Sequence, residues 1–191
     1  MQTAKSALVL LADGAEEIEA VTIIDALRRG GIAVTAASIT GTGRITGSHA
    51  IEIGADTVLA GSPDEAAASA RAFDAVVLPG GMGGTLALKA DARVRRILAE
   101  THDRGAIVAA VCAAPMVLDA AGVLRDRKFC CYPGIEVKLA GGGEYQAGVK
   151  VVQDGNVISG TGPGTALKFA LEIVRALGGP AGQVAQAMLA D

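Results

Sequence analysis

Short apolar runs alternate along the chain with segments whose apolar residues recur every three to four positions. Runs of four to eight apolar residues bounded by turn residues are typical of buried strands. They predict strands at Lys5–Ala12, Ile32–Ile39, Phe73–Leu78, Ala106–Val111, Phe129–Tyr132, Val149–Gln153 and Val157–Gly160. The Gly41–Asp56 region alternates short β pieces with turns, and Pro79–Gly84 is predicted to be a turn. The chain therefore has a strand-rich framework.

The periodic segments between these runs predict helices. They cover Glu16–Arg29, which Gly30 and Gly31 close, Ser62–Arg71 and Ala113–Ala121. Asp91 is a candidate cap for a further helix with one buried face, formed by Val94, Ile97, Leu98 and Thr101. The clearest period follows Pro163 and ends at Gly178, with apolar positions at Ala166, Phe169, Ala170, Ile173, Val174 and Leu177.

Strands that are apolar on both faces and separated by helices indicate a parallel sheet covered on both sides. The sequence shows no internal repeat and no linker, so we expect one α/β domain over residues 1–191. Hydrophobic residues make up 51% and charged residues 19%, which excludes a disordered chain. Because aromatic residues are only 3%, the core must consist of Ala, Val, Leu and Ile.

Charge and cysteine content narrow the partners and the compartment. The net charge is -3 and there is no Lys/Arg run, so we expect neither a nucleic-acid nor a membrane partner. The apolar run Ala7–Ala12 is short and acidic residues follow it, which favours a strand over a signal peptide. Three cysteines cannot pair evenly, so we expect a cytoplasmic protein.

The first predicted helix is apolar over more than one face. One stripe contains Ile18, Val21, Ile24 and Leu27, and Ala20 and Ile23 widen it. A helix that is covered on one face needs a single stripe. Either this helix is deeply buried, or its far side forms a subunit interface.

Three predicted strands end in segments of unusual chemistry, where ligands bind in an open α/β sheet. These segments are Asp13–Glu19, Pro79–Gly83 and Val111–Pro115. Cys112 lies at a strand-to-helix turn with the small residues Ala113 and Ala114 after it, as a nucleophile elbow requires. The following helix N-terminus predicts a lowered thiol pKa, and a shift from ~8.5 to ~6 corresponds to about 3.4 kcal/mol. A buried structural cysteine is the alternative.

The neighbouring segments supply partners for such a nucleophile. Glycines let backbone N–H groups approach a reacting oxygen, and the candidate donors are those of Gly81 and Ala113. Glu19 either compensates the helix dipole or faces the thiol, in which case repulsion favours its protonated form and it shuttles protons. For Glu17 we expect the dipole-compensating surface role.

Metal and secondary cysteine sites have little support in the sequence. Only two histidines exist, His49 and His102, and neither has metal-ligand spacing, so no metal is expected. Cys130 and Cys131 are predicted to straddle a strand, one inward and one outward.

Four collinear motifs resemble the ThiJ/PfpI superfamily, specifically the branch of the Parkinson-disease-associated deglycase and bacterial YajL. They are Ala15–Glu19, Val76–Gly81, Ile107–Pro115 and Gly162–Thr165. The resemblance implies a flavodoxin-like three-layer α/β sandwich of the class I glutamine amidotransferase-like type, no cofactor, and a homodimer built partly on the first helix. It also implies that Cys112 is the oxidation-sensitive nucleophile and Glu19 its protonated partner, with Gly81 and Ala113 as backbone donors.

The chain departs from the family pattern at three positions. Tyr132 stands where several members have a histidine, His49 replaces an arginine, and Thr161 stands where some relatives have arginine. The presence of Tyr132 puts proton transfer through a histidine in doubt. The absence of a histidine directly after the cysteine argues against a protease, and the lack of a distant His–Glu pair argues against an amidotransferase. Candidate pocket residues are His49, Tyr132, Gly80, Thr161 and Pro163.

Two functions follow from this chemistry. The first is a cofactor-free glyoxalase III or deglycase, which acts on methylglyoxal-like 2-oxoaldehydes or on glycated protein through a Cys112 thiolate. The second is an oxidative-stress sensor or redox-regulated chaperone that uses Cys112 oxidation without turnover.

Overall fold

A seven-stranded sheet forms the middle layer of the computed structural model, which describes residues 4–190. Its order is β10-β11-β7-β6-β1-β2-β5, and every neighbouring pair is parallel except β10 and β11. The strands of this sheet are β1 (Ser6–Leu11), β2 (Ala33–Ser38), β5 (Thr57–Val58), β6 (Ala75–Leu78), β7 (Ile107–Val111), β10 (Val151–Asp154) and β11 (Val157–Gly160). Two small ribbons pair β3 (Arg44–Thr46) with β4 (Glu52–Gly54), and β8 (Lys128–Phe129) with β9 (Glu144–Tyr145).

Helices cover both faces of this sheet because its strands are apolar on both sides. Along β1, Leu8 and Leu10 pack into one core, whereas Val9 and Leu11 pack into the other. The helices of the first core are α2 (Pro63–Ala70), α3 (Met82–Ala90), α4 (Ala92–Asp103) and α5 (Pro115–Ala120). Those of the second core are α1 (Glu17–Arg29), α6 (Ala166–Ala176) and α7 (Ala181–Ala187). The predicted three-layer, flavodoxin-like α/β fold is confirmed.

The topology places a crevice beside β1. The chain passes from β1 to β2 on one side and later returns to β6 on the other side, so the strand order reverses between β1 and β6. Ligands bind at such switch points, outside the carboxyl ends of the strands. The three segments of unusual chemistry follow β1, β6 and β7, which are adjacent in the sheet.

Most predicted elements agree with the structure to within a few residues. Asp91 caps α4 through its side chain, which accepts the backbone N–H of Arg93 at 2.8 Å, and the predicted face of α4 is buried. The predicted turn over Pro79–Gly84 is wrong in its second half, because α3 begins at Met82. Glycine is a poor helix former, but here Gly84 lets the helix approach the backbone of Ala15, where a Cβ would lie 2.8 Å from the nitrogen.

The region after α5 differs more from the expectation. The predicted strand Phe129–Tyr132 is reduced to β8, and β5, β9 and α7 were not predicted. The expectation that one of Cys130 and Cys131 points inward and the other outward is wrong, because both are fully buried. No alternation is required of them, since the regular strand ends at Phe129.

The outer face of α1 is exposed. Ile18 and Val21, two members of the predicted apolar stripe, are 58% and 51% exposed, whereas Ala20, Ile23 and Leu27 are fully buried. The buried side faces α6, which α1 packs against in the second core. The alternative of a deeply buried helix is therefore wrong, and an apolar surface remains on its far side.

Among the helices of residues 4–190, none has the length and apolar character that crossing a membrane requires.

Candidate active site

The residues that follow β1, β6 and β7 meet at the crevice. The Glu16 N–H donates to the Gly80 carbonyl at 2.9 Å, which ties the start of α1 to the end of β6. The Cys112 N–H donates to the Gly160 carbonyl at 3.0 Å, and the Cys112 carbonyl accepts the Tyr132 N–H at 2.9 Å. These bonds fix the backbone of the site from both sides.

Cys112 occupies a sharp elbow between β7 and α5. Its φ is 63°, in the left-handed region that a residue with a side chain seldom adopts. Such a conformation costs about 1–3 kcal/mol and persists only where the surroundings impose it, most often at functional sites. Buried Ala113 and Ala114 follow, and Pro115 begins α5. The side chain is half-buried, so the predicted nucleophile elbow is present.

Glu19 lies next to this cysteine in the first turn of α1. Its backbone N–H donates to the Glu16 carboxylate at 2.7 Å, so Glu16 caps the helix and fixes the position of Glu19. The Glu19 side chain is fully buried, and its Oε2 accepts the Gly80 N–H at 2.7 Å. Its Oε1 has no such partner in the described chain and is the oxygen available to carry a proton.

Burial raises the pKa of Glu19 to about 7, although the Gly80 N–H and the Cys112 side chain act to lower it. Taking a carboxylate out of water disfavours its charged form. A surface role in compensating the helix dipole is excluded for Glu19, because its side chain is fully buried. Glu19 therefore titrates in the neutral range.

The predicted lowering of the thiol pKa is wrong. Burial and the negative charge of Glu19 raise the pKa of Cys112 to about 12, although hydrogen bonds from the backbone N–H groups of Gly81 and Ala113 act to lower it. The helix that follows has only six residues and begins three positions after the cysteine, so its dipole contributes little. The sequence identified both backbone donors, but not the burial that outweighs them.

The two side chains are therefore best treated as one titrating unit. The pair loses its first proton near pH 7. It loses the second only at a much higher pH, because two adjacent negative charges in a site shielded from water repel each other. At neutral pH and slightly above, the pair holds one proton and one negative charge. Within this pair, the Glu19 carboxylate can accept the proton of the Cys112 thiol as the sulfur attacks a substrate.

The glycines of the β6–α3 loop leave room for this pair. A Cβ on Gly80 would lie 2.6 Å from the Cys112 Cβ and 2.8 Å from the Glu19 Oε2. Gly81 has a φ of +84°, and a Cβ there would lie 2.4 Å from the Gly14 carbonyl oxygen. No side chain fits at either position without moving the backbone.

A second polar cluster surrounds Glu17, and the expectation of a surface role for this residue is wrong. Glu17 is buried and accepts hydrogen bonds from the His49 N–H, the His49 Nδ1 at 2.8 Å and the Ser48 hydroxyl at 3.1 Å. Burial acts to raise its pKa, but these bonds lower it to about 2. The same ion pair raises the pKa of the exposed His49.

Glu16, Glu17 and His49 are also the residues of the described chain that could hold a metal. One ligand atom from each lies within 4.8 Å of the others. Sequence spacing missed this group because the β3–β4 ribbon brings His49 to α1 from 32 positions away. The Glu17 oxygens are already engaged by Ser48 and His49, so hydrogen bonding accounts for the arrangement.

The predicted pocket residues do not line a single pocket. Tyr132, Thr161 and Pro163 line one cavity of about 330 Å³. Gly80 lies at the Cys112–Glu19 pair, and His49 is held by Glu17 instead. Tyr145, Val149 and Gly164 also line the cavity, and sequence reasoning missed them because no motif marks them.

Fold and site together define a class: doubly wound α/β proteins with a cysteine at the elbow after a central strand and a buried glutamate beside it. The sequence profile of the DJ-1/PfpI family matches residues 5–176. The chain belongs to the DJ-1/PfpI family, as the sequence resemblance implied.

Relatives match over nearly the whole chain. Protein dj-1beta of Drosophila melanogaster is 42% identical over 175 residues, which cover 92% of this chain and 90% of that protein. The glutathione-independent glyoxalase DJR-1.2 of Caenorhabditis elegans is 36% identical over 183 residues, covering 94% and 92%. The crystal structure of Drosophila melanogaster DJ-1beta superposes with a TM-score of 0.90 at 40% identity and covers 99% of this chain and 100% of that one.

Proposed function

We propose that this protein is a glutathione-independent glyoxalase that converts 2-oxoaldehydes such as methylglyoxal into 2-hydroxy acids. The observation that supports this most is the Cys112–Glu19 pair, which places a nucleophile beside a carboxyl group that titrates near pH 7. The relative DJR-1.2, named for the same activity, supports the reaction type.

The first step is addition of the sulfur to the aldehyde carbon. As the S–C bond forms, the Glu19 carboxylate accepts the thiol proton and the carbonyl electron pair moves to oxygen. The backbone N–H groups of Gly81 and Ala113 bind the Cys112 sulfur, and we assign to them the stabilisation of charge on that oxygen. Return of the proton to the oxygen gives a hemithioacetal.

The second step moves a proton between the two carbons. Glu19 removes the proton from the former aldehyde carbon, giving an enediolate, and delivers it to the former ketone carbon. The product is a thioester of a 2-hydroxy acid, which water hydrolyses to release the acid and the thiol. One carbon is oxidised by two electrons and its neighbour is reduced by two, so no external redox cofactor is needed.

The same chemistry extends to glycated proteins. Early adducts of 2-oxoaldehydes on protein amines or thiols are hemiaminals or hemithioacetals, and their reversal returns the aldehyde carbon to attack by Cys112. A deglycase activity is accordingly part of the proposal, with the same pair of residues carrying it.

The test is methylglyoxal turnover by variants of the two residues. Cys112→Ala and Glu19→Gln are expected to lower kcat/KM by about 10²–10⁴-fold, because each removes a group used in bond making or proton transfer. Cys131→Ala is the matched control, since this cysteine is buried and outside the pair. Wild-type turnover by Cys112→Ala contradicts the proposal.

A redox sensor or redox-regulated chaperone is the second candidate, and the relative exposure of the cysteines favours it. Cys112 is half-buried, whereas Cys130 and Cys131 are fully buried, and all three are free. Oxidation follows access to the sulfur. Mass spectrometry after mild peroxide treatment is expected to find sulfinate on Cys112 alone, and equal oxidation of the three cysteines contradicts this role.

We also propose that two copies associate through the outer face of α1. Ile18 and Val21 are more than half exposed there, and large apolar side chains grouped on one helix face are typical of an interface. This dimer is the one that the family resemblance implies.

A further inference from the structure

The cavity of about 330 Å³ is not used by the reaction steps described above. Its lining includes Tyr132, Tyr145, Val149, Pro163 and Gly164. The chain has only two tyrosines, and both line this cavity. Concave apolar surfaces of this size with aromatic walls are typical of small-molecule sites.

The walls of the cavity start from the backbone that holds the nucleophile. The N–H of Tyr132 donates to the Cys112 carbonyl at 2.9 Å. Another part of the lining begins at Thr161, directly after Gly160, whose carbonyl accepts the Cys112 N–H at 3.0 Å. Two parts of the cavity lining are therefore tied to the Cys112 backbone, one through each of its peptide groups.

The two threonine hydroxyls of the lining are satisfied by hydrogen bonds within it. The Thr165 hydroxyl bonds to the Thr161 hydroxyl at 3.1 Å and donates to the Gly162 carbonyl at 2.9 Å. Lys150, the charged residue of the lining, is exposed, so water solvates it. The interior consequently offers aromatic and aliphatic contact more than recognition of a charged group.

We infer that this cavity binds the substituent on the ketone carbon of the 2-oxoaldehyde and selects substrates in which that substituent is bulky and apolar, above all aryl. The inference rests on the proposed glyoxalase function and names its substrate class. The single methyl group of methylglyoxal fills little of the space, whereas an aromatic ring buries apolar area against Tyr132 and Tyr145.

Two variants test the cavity without touching the Cys112–Glu19 pair. Tyr132→Ala removes an aromatic wall, and because Tyr132 is 51% exposed the substitution removes little buried packing. Gly164→Leu narrows the cavity, and a Cβ at this position meets no atom within 4 Å. Gly43→Leu is the matched control, because its Cβ also meets nothing and it is not part of the lining.

The measurement is kcat/KM for phenylglyoxal divided by kcat/KM for methylglyoxal, which cancels the different reactivities of the aldehydes when variants are compared with wild type. We expect this ratio to fall by about tenfold in Tyr132→Ala and Gly164→Leu, as for the loss of a few apolar contacts, and to stay constant in Gly43→Leu. Circular dichroism confirms folding, and if Tyr132→Ala is unfolded, Gly164→Leu decides alone.

The experiment distinguishes a failure of this inference from a failure of the proposed glyoxalase function. An unchanged ratio in a folded cavity variant, while methylglyoxal is still converted, overturns the inference and leaves the proposed function intact. Equal proportional losses for the two aldehydes also overturn it. Absence of turnover of both aldehydes by the wild-type protein overturns the proposed function and the inference together.

Discussion

Cys112 and Glu19 occupy a space too dry for two negative charges. Burial opposes ionisation of each, and the charge on one opposes the charge on the other. The site therefore holds a proton that neither residue releases easily, and at neutral pH that proton lies between a nucleophile and a base. In the proposed mechanism, proton transfer takes place within this pair and uses no histidine.

The raised pKa of Glu19 predicts how stability depends on pH. The folded state binds the proton up to pH of about 7, whereas the unfolded state releases it near 4.5, so the stabilising effect is complete below 4.5 and is lost as pH rises through 7. At about 1.4 kcal/mol per pH unit, the loss is about 3 kcal/mol. Urea unfolding at pH 5 and pH 8 measures it.

The control for this prediction is Glu19→Gln, whose amide does not titrate. Its free energy of unfolding is expected to lack the loss between pH 5 and pH 8. An equal loss in Glu19→Gln and wild type assigns the pH dependence to other groups and contradicts the burial argument for Glu19.

Single residues were predictable where local sequence determines them. The elbow at Cys112 follows from an apolar strand, small neighbours and Pro115, and the donors Gly81 and Ala113 follow from the loops that end the strands. The thiol pKa was not predictable, because it depends on the burial of Cys112 and on the charge of Glu19, which lies far away in the sequence.

At the level of elements, the loop between β6 and α3 determines how closely α1 and β7 approach. Gly80 lies between the Cys112 Cβ and the Glu19 carboxylate, and α3 starts directly afterwards with Gly83 and Gly84 against the backbone of Gly14. These glycines are a packing requirement. The sequence led to a predicted turn here because glycine runs are more common in turns than in helices.

Gly80→Ala is expected to destabilise the protein by about 1–3 kcal/mol and to lower methylglyoxal turnover, because its methyl group would displace Cys112 or Glu19. Gly182→Ala is the matched control. It lies within α7 with nothing within 4 Å of its Cβ, and the substitution is expected to be neutral or to stabilise the helix slightly. Thermal unfolding and turnover measure the difference, and a Gly80→Ala variant equal to the control contradicts the steric argument.

For the whole molecule, the alternation of apolar residues on the central strands assigns helices to both faces, and this could be predicted from the sequence. The alternation is clearest on β1, where Leu8 and Leu10 pack into one core and Val9 and Leu11 pack into the other. The position of His49 could not be predicted, because it depends on a ribbon outside the main sheet that folds back onto Glu17. The exposed face of α1 likewise emerges only when α6 covers the opposite face.

The proposed dimer makes the state of association testable. Ile18→Asp is expected to convert a dimer into a monomer, since a charge without a partner would be buried at the centre of the interface. Val137→Asp, at a position that is 81% exposed on another part of the chain, is the control and should leave the mass unchanged. Sedimentation velocity measures both, and a dimer that survives Ile18→Asp contradicts an interface on α1.

The central claim is that Cys112 and Glu19 share one proton at neutral pH, and the rate of iodoacetamide alkylation of Cys112 between pH 5 and pH 10 tests it directly. In the wild type the rate is expected to rise around pH 7, where the pair loses its first proton. In Glu19→Gln the rise is expected only above pH 9, because burial still raises the thiol pKa and no base is present. Identical profiles for the two proteins would contradict the account.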